Sequence, residues 1–107
     1  MLAQQTILEA ARRAAAAAHS PLQVFLFGSY ARGDADAGSD LDLLVVEQDV
    51  PDKAAEYLNL HRAVGAMGVG VDVLVFSRDE FERRSQVPGT VPYWAKKEGK
   101  LLYDATA

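Results

Sequence analysis

At 107 residues, 50% hydrophobic and 24% charged, the chain has the length and composition of one soluble globular domain, with room for a single core. It has no cysteine, which excludes disulfide frameworks, thiolate metal sites and cysteine nucleophiles and fits a reducing cytoplasm. The formal net charge is −4, and no apolar run reaches membrane-spanning length, so neither a polynucleotide, whose backbone an acidic surface repels, nor a membrane is an expected partner.

Residues Leu2 to about Ala18 are rich in Ala, Leu, Glu and Arg and predict an opening helix. The Arg12-Arg13 pair before the Ala run therefore reads as helix rather than as a secretion signal. Ser20-Pro21 stops it. Leu22 to Phe27 is a short apolar run expected to be a buried strand. Gly28 to Ser39 is a small-residue loop with a helical turn near Tyr30-Ala31-Arg32, and Asp40 to Glu47 is a second strand. Asp52 is placed to cap a helix running to about Met67, with Ala54, Tyr57, Leu58, His61 and Val64 as its inward stripe and Gly68 and Gly70 ending it. Val71 to Phe76 reads as a third strand. Ser77 and Glu80 match a capping box for a helix over Arg78–Arg84. Thr90 is placed to cap a last helix from Val91 to about Glu98, with Gly99 as its C′ residue, before a short strand from Lys100 to Tyr103. The order predicts an α/β (α+β) architecture, a small mixed sheet with helices on one face.

The chemistry is concentrated between Phe27 and Val46. Asp40 and Asp42 alternate to one side of their strand, with no Lys or Arg beside them, so a divalent cation is the natural counter-charge; Mg²⁺ takes carboxylate and phosphate oxygens in this way. The Gly28-Ser29 turn offers backbone N–H groups and a hydroxyl to phosphates. Asp72 stands alone in an apolar strand, where an unpaired charge is costly. It is tolerable if it faces the same cation as the other two. Three carboxylates on adjacent strands can hold two metal ions for an in-line displacement.

Gly28-Ser29, ten intervening residues, then Asp40-Leu41-Asp42, with Ala31-Arg32-Gly33 inside the loop and a later strand Asp72, closely resembles the DNA polymerase beta-like nucleotidyltransferase superfamily. Within it the chain resembles the minimal nucleotidyltransferase (MNT) domains of MNT/HEPN antitoxin type, and the resemblance spans nearly the whole chain. It implies a nucleotidyltransferase fold over residues 1–107 as a single domain, with Gly28, Ser29 and Arg32 binding the nucleotide. It also implies Asp40, Asp42 and Asp72 as catalytic residues and as ligands of two Mg²⁺ ions, ATP as substrate, and a HEPN-domain toxin as partner. The partner would be adenylylated on a tyrosine in the cytoplasm. An antitoxin acting by binding alone, and a stand-alone enzyme modifying a small-molecule hydroxyl, are the alternatives.

Other readings are plainer. Arg32 either touches the triphosphate or ties the acidic loop through Asp34 or Asp36. His19 and His61 read as partly solvated helix residues, and the Arg83-Arg84 and Lys96-Lys97 pairs as solvated faces. Tyr93 and Trp94 either stack on a base or touch a partner, or they are core or interface fill, the commoner role of aromatics on a terminal helix, and they are left out of the site.

Overall fold

In a computed structural model, which describes residues 1–106, the elements run α1 (Gln4–Ala17), β1 (Pro21–Phe27), α2 (Ser29–Arg32), β2 (Leu41–Glu47) and α3 (Lys53–Val64), followed by β3 (Val71–Ser77), α4 (Arg78–Arg84), α5 (Val91–Glu98) and β4 (Lys100–Asp104). The strands form one mixed sheet in the order β3-β2-β1-β4. β1 is antiparallel to both β2 and β4, while β2 and β3 are parallel and joined through α3, as parallel neighbours require a crossover.

β2 is buried along nearly its whole length, and its alternation divides the core. Leu41, Leu43 and Val45 pack with α1 and α3, whereas Leu44 and Val46 pack with Phe76, with Phe81 of α4 and with Ala95 of α5. The long helices α1 and α3 thus cover one face as expected. The short α4 and α5 add partial cover to the other face. On α1 the buried residues are Ile7, Ala10, Ala11, Ala14 and Ala15, a helical stripe whose short side chains let the helix lie close against α3 and the sheet.

Asp52, Ser77 and Thr90 each accept the predicted capping bond, from the N–H groups of Ala55, Glu80 and Tyr93. Glu80 turns its carboxylate instead to Lys53 and Arg84, at 3.0 and 3.2 Å. Gly99 caps α5 with extended rather than left-handed backbone. A Cβ there would collide with the carbonyl oxygens of Ala95 and Leu26, so the glycine is needed for close approach to β1.

α3 departs from its reading in two respects. It ends at Val64, where Gly65 takes a φ of 72°, and its inward row is Glu56, Leu60 and Val64, leaving Ala54, Tyr57 and Leu58 exposed. The reason lies in Glu47, fully buried at the end of β2, which needs a polar neighbour. Glu47 accepts from the Ser20 N–H at 2.9 Å, and its other oxygen has no donor among the described residues. Glu56 accepts from the His19 N–H at 2.8 Å and from the Asn59 amide at 3.0 Å. His19 thus lies beyond the helix it was assigned to.

Burial above all, and then the hydrogen bond to Glu56, push the Glu47 carboxyl up to about 7. Burial acts the other way on Glu56, but its bonds from Glu47, His19 and Asn59 prevail and hold it below the ordinary glutamate value. Of the two, Glu47 is therefore the one that keeps its proton to higher pH. A raised carboxyl contributes stability that is full below its unfolded value and is lost as pH rises through its folded one; the lowered partner does the reverse. Stability should peak near about pH 5 and fall toward pH 8 by something on the order of 2 kcal/mol. Glu47→Gln, which keeps a donor without a titration, should flatten the alkaline limb of thermal midpoint against pH. A limb as steep as the parent's would contradict Glu47 as the titrating group.

Candidate active site

The candidate residues meet at the end of the sheet where β1 stops and β2 and β3 begin. Asp42 is the register partner of Phe27 on β1 and of Asp72 on β3. The three side chains form one row, next to the row of Phe25, Leu44 and Leu74 and on the same face. The two acids are therefore neighbours across a parallel strand pair, as their lone positions in apolar strands predicted.

Gly28 turns the chain out of β1 with a φ of 75° and a ψ of −155°, and α2 follows at once, closed by Gly33 in the left-handed region. The first N–H groups of a helix have no intrahelical acceptor and remain free for a ligand. Gly28 has a second reason to be glycine: a Cβ there would strike the carboxylate of Asp42. Gly70, read from the sequence only as a helix terminator, plays the same part toward Asp40, whose carboxylate fills the place of its Cβ. Asp40 lies exposed just ahead of β2, where the Leu41 N–H donates to the Gly70 carbonyl at 2.8 Å.

The two carboxylates of the Asp-Leu-Asp motif thus turn toward opposite neighbours, Asp42 to the β1 turn and Asp40 to the β3 end. Among the described residues no three acidic or histidine side chains are gathered as they stand into an ion-holding group. Their charges are nevertheless felt. Burial first, then the charges of Asp72 and Asp40, raise the pKa of Asp42 above the ordinary aspartate value, and Arg32 acts in the opposite direction. A crowd of negative charge without sufficient counter-charge, presented by oxygen atoms only, fits a hard divalent cation such as Mg²⁺.

Of the two readings of Arg32 the structure shows the loop-tying one. Its Nε lies 3.3 Å from Asp34, tying the acidic loop, and it lines a cleft of about 630 Å³ with Phe27, Gly28, Ser29, Asp40 and Asp42. The far wall of that cleft is α5, through Val91, Trp94 and Glu98.

Two residues left out of the site on sequence grounds lie close to it. Trp94, taken as core or interface fill, lines the cleft. His61, a partly solvated helix residue as expected, is 24% exposed and reaches the open edge of β3. Its Nε2 accepts from the Val73 N–H at 3.1 Å and lies 3.7 Å from a carboxylate oxygen of Asp72, while Nδ1 faces the Tyr57 carbonyl at 2.8 Å. The ring therefore holds its proton on Nδ1 and fastens the strand that carries Asp72. The signal available was its place on the last turn of a crossover helix, which must return onto the next strand.

A family profile described as the nucleotidyltransferase domain matches residues 7–105. Among solved structures, a presumed nucleotidyltransferase from Sulfolobus solfataricus aligns with a TM-score of 0.63 at 21% identity, over 95% of this chain and 80% of its own. A toxin–antitoxin complex with AMP-PNP aligns with a TM-score of 0.61 at 22% identity, over 97% and 75%. A complex of a tri-AMPylated Shewanella oneidensis HEPN toxin with an MNT antitoxin aligns with a TM-score of 0.57 at 19% identity, over 96% and 73%. At these identities the likeness is one of fold. No curated protein matches the chain in sequence.

Proposed function

The chain belongs to the nucleotidyltransferase domain family, and from that membership we propose that it transfers AMP from ATP to a hydroxyl of a partner protein, releasing pyrophosphate. One observation carries the reading: the Gly28-Ser29 turn, Arg32, Asp40 and Asp42 line a single cleft, and Asp72 stands beside Asp42 in the strand register.

In this proposal the α2 amides, the Ser29 hydroxyl and Arg32 bind the triphosphate, and their fixed positions hold the α-phosphate in line with the incoming hydroxyl. Asp40, Asp42 and Asp72 hold magnesium, two ions in the full complement. When bound, magnesium neutralises phosphate charge and acidifies the acceptor hydroxyl. Asp72, the outermost acid of the row, would help to take the acceptor's proton. His61 keeps its strand in place. The chain acts as a single domain in the cytoplasm, where ATP is available.

The acceptor proposed is a tyrosine of a HEPN-type toxin, which makes the chain the antitoxin of a pair. Support comes from the fold shared with toxin–antitoxin complexes, one holding AMP-PNP and one whose HEPN toxin is tri-AMPylated. A binding-only antitoxin would have no use for like charges crowded on Asp42. The acidic rim from Asp34 to Asp42 is unsuited to a polynucleotide. Among the described residues no helix is long and apolar enough to cross a membrane.

Position-specific labelling of ATP tests the reaction class. Label at the α-phosphate should pass to the partner protein while label at the γ-phosphate leaves as pyrophosphate. Transfer of the γ-label instead would make the chain a kinase and end this reading.

A further inference from the structure

The cleft has two unlike walls. One carries the turn, Arg32 and the carboxylates, all suited to phosphate and metal. The other carries Val91, Trp94 and Glu98, with Phe27 between them. Trp94 is 43% exposed, unusual for a residue that gains so much from burial. It is not loose. Tyr93 meets it edge to face at 5.2 Å and 85°. Lys97 sits 5.8 Å from the Trp94 ring and 5.5 Å from the Tyr93 ring, and bonds to the Tyr93 hydroxyl at 3.3 Å.

The helix beneath it is fixed as well. Thr90 caps it, Pro92 and Ala95 are buried, and Gly99 seats its end against the Leu26 carbonyl of β1. A braced aromatic plane on a rigid helix, facing a phosphate-binding turn across a cleft of about 630 Å³, has the form of a stacking platform. The volume falls within the range of small-molecule sites.

We infer that Trp94 stacks on the base of the bound nucleotide and that the cleft selects its substrate by π-face area rather than by base-edge hydrogen bonds. This rests on the nucleotidyltransferase reading of the same cleft. The remaining charged groups of the lining are arginine and carboxylates on the phosphate side, with Glu98 alone at the far end. Stacking accepts any base, because every base has a π-face, and it favours the larger one. The substrate class is therefore purine nucleoside triphosphates, with ATP and GTP bound about equally and CTP and UTP more weakly.

Trp94 is the chain's single tryptophan, so its intrinsic fluorescence reports on the contact directly. Titrating the intact protein with AMP-PNP and Mg²⁺ should quench that emission saturably. In calorimetry Trp94→Ala should bind AMP-PNP about tenfold more weakly, and Trp94→Phe close to the parent. Inorganic tripolyphosphate, which has no base, should bind the parent and Trp94→Ala alike. Because Trp94 is half exposed, its truncation should leave the thermal midpoint near the parent's. AMP-PNP that binds Trp94→Ala as tightly as the parent overturns the inference and leaves the nucleotidyltransferase reading standing. A parent that binds neither AMP-PNP nor tripolyphosphate overturns both, beginning with the phosphate site.

Discussion

Asp42→Asn should lower nucleotide transfer by about three orders of magnitude, near 4 kcal/mol of barrier, while leaving the fold intact or slightly firmer. Asn keeps the shape and can still occupy the space against Gly28, but it removes the charge that the row Phe27–Asp42–Asp72 delivers to the cleft. The same charge is a burden to the folded chain, partly buried and facing Asp72 and Asp40 with only Arg32 in opposition. Relief of like-charge repulsion should raise stability by about 0.5–1 kcal/mol, or a few degrees in thermal midpoint. Activity and stability moving in opposite directions mark a residue kept for chemistry. A variant that loses both, measured by transfer assay and thermal melting, would show instead that Asp42 is structural.

Gly28→Ala should lose both. The φ of 75° with a ψ of −155° is a conformation that side-chain-bearing residues avoid, at a cost of about 1–3 kcal/mol. The added Cβ also meets the Asp42 carboxylate and must push it out of its place beside the turn. We expect the thermal midpoint to fall by roughly 10 °C and transfer to fall at least about a hundredfold through displacement of a positioned group. Gly33→Ala supplies the comparison. Gly33 also has a positive φ, of 83°, but nothing lies within 4 Å of its Cβ position. It should lose about 1 kcal/mol and keep most of its activity. Equal losses at the two positions would mean that backbone strain alone matters and that the Asp42 contact does not.

The elements were legible because their ends are written in local chemistry. Asp52, Ser77 and Thr90 cap where they were expected to, and the apolar runs around Val24, Leu44 and Val75 became strands. That Asp42 and Asp72 share a row was legible because a period of two, together with a lone Asp in an apolar strand, constrains which side chains can face one way; that Asp40 turns instead toward Gly70 was not. What escaped was set by contacts distant in sequence. Glu56 faces inward because Glu47, nine positions earlier, is buried without a donor for one of its oxygens. Gly70 is glycine because of Asp40, and Trp94 borders the cleft because Gly99 seats α5 against β1. His61 is the partly solvated helix residue it was read as, but its partners, the edge of β3 and Asp72, were invisible until the crossover helix is folded back.

The reaction proposed for this cleft is transfer of AMP onto a tyrosine of a second protein. The most direct measurement is the intact mass of the protein encoded beside it, after incubation with this chain, ATP and Mg²⁺, followed by localisation of the added group. The account predicts a gain of whole AMP units on tyrosine, absent with Asp42→Asn. A partner that stays unmodified, yet is bound and neutralised equally well by the parent and by Asp42→Asn, would contradict it.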